Sequence, residues 1–229
     1  MKAKKVVHKF LNLDRKDRKM YMLQMATIRT IFVALIKFIF GIAYTSIWFF
    51  TNSIFYIILG ISKYRSVRDY KKVKKIKDKR AKERITYNNY LYNGWLLVLL
   101  GIAYFSINLI IYKTGESNNN LDGYLVYLTA FLSFSSLISA SISLHKYRMN
   151  DDPIIAAACQ GNIAKALTSI MLTQVTLLDQ FATKDIKIVK TNAITGMAVG
   201  VIIIILGFRM VIKIIRRRNN FIGRRLERI

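Results

Sequence analysis

The sequence predicts an all-α polytopic membrane protein built as a six-transmembrane-helix bundle. Three observations lead there. Of the 229 residues 53% are hydrophobic and only one is proline, and the mean hydropathy is +0.28. Long apolar stretches free of carboxylates alternate with short, strongly basic ones. The cations gather beside the apolar stretches, where they meet anionic lipid and fix orientation.

Residues 1–27 mix cations with Val6, Val7, Phe10, Leu11, Met20 and Leu23, which suits either a helix lying on the inner membrane face or a solvated basic tail. Lys2, Lys4, Lys5 and Lys9 precede any long apolar run, so no cleavable signal peptide is expected and the first span itself directs insertion. From Ile28 to Ser62 the chain stays apolar for 35 residues. At 1.5 Å per residue that is roughly 52 Å, too long for one crossing of a ~30 Å hydrocarbon layer. The run is therefore divided into spans 28–44 and 47–62, with a turn at Tyr44, Thr45 and Ser46. Residues 63–87 follow, with twelve Lys and Arg against Asp69, Asp78 and Glu83, and read as a basic cytoplasmic loop.

Span three covers 88–112. The connection after it, KTGESNNNLDG, holds one cation and suits the outer face. Span four, 124–144, returns to His145, Lys146 and Arg148. Pro153 opens span five, 153–178, where its missing N–H is harmless, and Asp151 and Asp152 complement the helix dipole. Span six, 192–215, stops at Arg216, Arg217 and Arg218, which begin an Arg-rich cytoplasmic tail, 216–229. Both termini then lie in the cytoplasm.

The net charge of +25 is directed to anionic lipid headgroups, and no nucleic acid partner is expected. Cys159 is the sole cysteine, which rules out an intrachain disulfide. With only His8 and His145 beside it, Cys and His ligands cannot assemble a zinc site, and no metal or cofactor is expected. There is no phosphate-binding G-x-x-x-x-G-K-[ST] loop and no Ser, His and Asp arrangement, so the chain is not expected to be an enzyme.

Gly196 and Gly200 form a GxxxG pair, and Ser135, Ser139 and Ser143 recur every four residues, both of them helix-packing devices. Span five is more informative, because Gln160, Asn162, Lys165, Thr168, Ser169, Thr173 and Gln174 lie in it. A lysine at mid-span is unfavourable by about 2.5–3.5 kcal/mol, so Lys165 is expected to face the bundle interior or a wet cavity unless it snorkels to an interface. Lys37 raises the same question more weakly, since an interface is within reach of its stem. No carboxylate falls inside any proposed span.

The spacing Gly41, Ser46, Asn52 in FGIAYTSIWFFTNS resembles the G-x4-S-x5-D pattern of the cation diffusion facilitator family. The run KALTSI, Lys165 to Ile170, is similar to that family's D-A-L-x-S run, and span six resembles the family's sixth helix in its Gly and aliphatic pattern. The likeness covers residues 28–215 and implies a six-helix transporter fold and a homodimer. It also implies that the four metal-ligand places fall on Asn52, Tyr56, Gly161 and Lys165, so the ligands are replaced and no ionised oxygen remains. The family's cytoplasmic metal-binding domain has no counterpart in residues 216–229. The chain as a whole resembles six-span membrane proteins of low-GC Gram-positive bacteria, which implies a bacterial plasma membrane.

Three functional readings follow. The first is a transporter-like bundle without the metal site, its substrate unknown, with a binding centre of Asn52, Tyr56, Gly161, Asn162, Lys165 and Ser169. The second is a non-transporting scaffold or a lipid- or partner-binding subunit that acts through residues 63–87 and the tail. The third uses the buried cations as an anion or anionic-lipid site.

Overall fold

A computed structural model describes residues 15–115, 123–148, 152–181 and 186–226. Residues 1–14, most of the connection after span three (116–122), residues 149–151, residues 182–185 and the last three residues of the tail lie outside the described set. Within it all regular secondary structure is helical: α1 Arg15–Ala43, α2 Ile47–Lys75, α3 Lys79–Thr114, α4 Gly123–Arg148, α5 Pro153–Phe181 and α6 Ile186–Leu226. Four of these six hold segments long and apolar enough to cross a membrane: Tyr21–Ala43, Lys79–Thr114, Pro153–Leu178 and Ile186–Arg216. Helix α4 has a shorter apolar stretch, Val126–Ile142, and α2 carries buried Asn, Ser and Lys residues that lower its hydropathy.

The long apolar run breaks after Ala43, and the chain reverses through Tyr44, Thr45 and Ser46. Thr45 sits at φ 49°, the left-handed region that a β-branched residue rarely enters. Gly41 lets the hairpin close, because a Cβ there would stand 2.9 Å from the backbone nitrogen of Phe50. Ser46 donates its backbone N–H to the Gly41 carbonyl at 3.1 Å.

Two expectations about the basic segments change. Residues 15–27 belong to α1 and continue straight into its apolar part, with Leu23 and Thr27 already buried, so they are no separate surface helix. Residues 63–87, expected as a loop, are helical except at Ile76, Lys77 and Asp78, where α2 turns into α3. Lys, Arg and Glu are good helix formers, and no proline or glycine interrupts them. Asp78 caps α3 by accepting the Arg80 N–H at 3.0 Å. The two helices are tied by Ser62, Ser66 and Asp69 of α2 bonding to Asn89 and Asn93 of α3.

Helices α1 with α2 and α4 with α5 pack as antiparallel hairpins, α3 lies along α6, and α5 touches every other element. The apolar window of α5 is 78% buried, against 28% for α1, so α5 forms the centre of the bundle. The α3–α6 seam is built on glycine. A Cβ on Gly101 would stand 2.9 Å from the Gly200 carbonyl oxygen, and one on Gly207 would stand 2.7 Å from that of Gly94. Gly196 faces the side chain of Asn108. The GxxxG pair is thus part of a longer seam that brings two backbones together.

This packing predicts opposite outcomes at two glycines. Gly207→Val should lower stability by about 2 kcal/mol through overpacking of the seam. Gly161→Ala, whose new Cβ meets only Leu59 at 3.7 Å, should be neutral or slightly stabilising. Thermal unfolding of the two variants in detergent checks the contrast.

Candidate functional site

Three lysines are buried inside the bundle: Lys37 of α1, Lys63 of α2 and Lys165 of α5, exposed by only 1, 2 and 4%. Each lies on the inward stripe of its helix. On α1 the stripe is Thr30, Ala34, Lys37 and Gly41; on α2 it is Asn52, Tyr56, Leu59 and Lys63; on α5 it is Ala158, Asn162, Lys165 and Ser169. Spacings of three and four residues keep such positions on one face.

The three stripes meet around Tyr56. The Lys37 ammonium donates to Asn52 Oδ1 at 3.0 Å and to Ser169 Oγ at 3.5 Å, and lies 4.2 Å from the centre of the Tyr56 ring. The Lys165 ammonium lies 5.6 Å from the same centre. A ring face carries negative potential, so Tyr56 attracts both cations while separating them. Its hydroxyl bonds to Ser169 Oγ, to Ser136 Oγ at 3.3 Å and to the Lys165 carbonyl at 3.4 Å. Asn52 Nδ2 donates to the Thr168 carbonyl at 3.2 Å, which fixes its amide with the oxygen towards Lys37.

A second polar layer lies below. Lys63 donates to Thr30 Oγ1 at 3.1 Å and to Asn162 Oδ1. Lys37 follows Thr30 by seven residues, Lys63 follows Tyr56 by seven and Ser169 follows Asn162 by seven, so the layers are two helical turns, about 10 Å, apart. Lys165 stands between them, close enough for its charge to repel those of Lys37 and Lys63. Among the described residues no acid pairs with any of the three, and the one ion pair, Arg65 with Asp69 at 3.8 Å, lies on the far stretch of α2.

The residues picked from sequence divide into groups. Asn52, Tyr56, Lys165 and Ser169 come together in the upper layer. Asn162 belongs to the lower layer with Lys63. Gly161 contributes no polar contact and packs against Leu59. Lys37 does not snorkel, and Lys63 is no part of a solvated loop; both complete the site. Lys63 was discoverable, since it extends the Asn52 and Tyr56 stripe by two turns. Of the serines in α4, Ser133 donates to the Ser169 carbonyl of α5, Ser136 pairs with the Tyr56 hydroxyl of α2, and Ser139 faces α1 and receives a hydrogen bond from Arg29 at 2.6 Å.

The donor set does not suit a metal cation. Among the described residues no three His, Cys, Asp or Glu side chains come together, and three lysines, which bring donors and no carboxylate, occupy the centre. Amide and hydroxyl oxygens facing ammonium groups form a site suited to negative or hydrogen-bond-accepting groups.

Removing one partner of the upper pair should be worse than removing both. Asn52→Leu leaves the Lys37 ammonium short of its best acceptor and should lower stability by about 2–3 kcal/mol. The double variant Lys37→Met with Asn52→Leu should recover at least half of that loss, as a double-mutant cycle on detergent-purified protein would show.

No family model matches the chain, and no curated protein matches it. The functional reading therefore starts from the geometry of this site.

Proposed function

We propose that the chain is a multi-pass protein of a bacterial plasma membrane, with six spans, both termini in the cytoplasm and a transporter-like bundle related in architecture to the cation diffusion facilitators. In this reading α2 and α4 cross the membrane with the other four helices, α2 with its polar stripe turned into the bundle and α4 with exposed aromatic and aliphatic side chains turned to lipid. The metal centre of that family is replaced by the polar, cationic centre around Tyr56, and two copies pair as a homodimer. The chain performs no covalent chemistry.

The observation that supports this reading is the burial of Lys37, Lys63 and Lys165 on three different helices with no acid beside them among the described residues. Ionisable groups inside a membrane bundle generally mark a path for substrate or protons, because holding them there is otherwise unfavourable. The positions of Asn52, Tyr56 and Lys165 are those at which the family resemblance puts metal ligands. A fixed ammonium in such a place excludes divalent cations by repulsion.

A second reading has one observation in its favour. The α2–α3 hairpin extends past the apolar segments as paired helices that present Lys71, Lys72, Lys74 and Lys75 to solvent. A scaffold that docks acidic lipid or an acidic partner would use such a surface.

Cysteine accessibility separates the two. In a Cys159→Ser background, Lys165→Cys should react with a membrane-impermeant maleimide from one face of sealed vesicles, because a transport site opens to water in part of its cycle. A thiol protected from both faces under all conditions would leave the scaffold standing. In proteoliposomes, Zn²⁺ and Mn²⁺ uptake should stay at the protein-free level. Strong flux that survives both Asn52→Ala and Lys165→Ala would refute the site.

A further inference from the structure

The bundle has a lateral groove that the upper polar layer does not use. Helix α1 leans on α2 and hardly touches α4, which leaves a cavity of about 440 Å³ between α1, α4 and α5. That volume lies within the usual range for small-ligand sites. Its walls are mostly apolar, with Leu23 and Ala26 from α1, Phe134 and Ile138 from α4, and Ile155 from α5. Phe134 and Ile138 are 64 and 62% exposed, so the groove opens sideways, onto the surface that faces lipid chains in a membrane.

The polar groups of the groove are concentrated. Arg29 reaches across it to Ser139 Oγ, the hydrogen bond that bridges α1 and α4. Asn162 forms part of the floor and holds the Lys63 ammonium behind it. The ammonium of Lys165, one turn further along α5, makes no hydrogen bond to a described residue, and its charge lies within range of Arg29 and Lys63. Arg29 thus lines an apolar, laterally open groove, and Lys63 and Lys165 lie behind its wall at Asn162, with no carboxylate beside them among the described residues.

Charge and shape together select the occupant. An apolar trough takes a hydrocarbon chain, and uncompensated cations with a forked guanidinium take an oxyanion. A zwitterionic headgroup would bring its own cation against three others, whereas an acidic one relieves their mutual repulsion. We infer that the groove between α1, α4 and α5 binds an acidic phospholipid that enters from the bilayer, its phosphate held by Arg29 and drawn towards Lys63 and Lys165. This rests on the membrane-spanning part of the reading above, not on transport.

The test counts lipid retained by the purified full chain. Protein is taken from nanodiscs of equal parts phosphatidylglycerol and phosphatidylcholine into detergent at high salt, which releases lipid held only by exposed cations. Native mass spectrometry should show phosphatidylglycerol retained over phosphatidylcholine by about tenfold, a preference that one lost charge-assisted contact can remove. Arg29→Gln should abolish most of the preference and Arg29→Lys should keep part of it. Arg29 is exposed, so neither change threatens the fold. Ala26→Phe, which fills the groove, should displace the lipid, and Lys113→Gln, on the exposed end of α3, should leave retention unchanged. Equal retention of both lipids, or a preference untouched by Arg29→Gln, would overturn the assignment. So would displacement by inorganic phosphate alone, which would mark a site for a free oxyanion. Lipid retention with a Lys165→Cys thiol sealed from both faces would remove the transport reading and leave the groove intact.

Discussion

An ammonium group placed among apolar helices must find lone pairs there or pull its helix out of register. Among the described residues no acid meets that demand: the side-chain oxygens of Asn52, Asn162, Thr30 and Ser169 take the Lys37 and Lys63 ammonium groups, and that of Lys165 lies by the ring of Tyr56. Neutral acceptors satisfy an ammonium without cancelling its charge. The lysines of the interior are therefore held without a carboxylate partner among the described residues, unlike those of a bundle stabilised by buried ion pairs, in which each charge is neutralised by its partner. Much else follows from this. The small residues of α5, the hydroxyls of α4 and the tyrosine at the crossing point are what the lysines need around them.

The rest of the molecule holds these groups in place. The glycine seam between α3 and α6 lets those helices approach to backbone contact, and together they form a wall against which α2 and α5 rest. Polar ties between Ser62, Ser66, Asn89 and Asn93 fix the rotation of α2, and so aim Tyr56 and Lys63 inward rather than at lipid. The same aim on α5 is set by Ser133 and Thr173, which share the Ser169 carbonyl as an acceptor.

Helical character was legible because it rests on local signals: long apolar runs, a lone proline at a helix start and charge clusters between runs. The hairpin turn was legible for a related reason, as a 35-residue run exceeds what one layer accommodates. The helical state of residues 63–87 was hidden because charge patterning reports which surface a segment faces, not its backbone conformation. Lys165 was visible as a charge in apolar surroundings and Asn52 and Tyr56 through the family resemblance, and the structure gathers them about one ring. Lys37 was obscured by the length of the lysine stem, which permits both a buried head and one reaching an interface, and Lys63, although on the Tyr56 stripe, by the basic run that it opens. Only the tertiary positions of Thr30, Asn52 and Asn162 decide between these outcomes.

The unbroken run of α2 from Ile47 to Lys75 has a mechanical consequence. Its thirteen residues from Lys63 onward form a rod about 20 Å long, braced by α3, with a buried ammonium at its root. Such a rod acts as a lever. A tilt of a few degrees at the pivot, as Lys63 exchanges one acceptor for another, displaces the basic tip by more than an ångström. The buried ammonium and the basic tip thus belong to one stiff element, and neither shifts without the other.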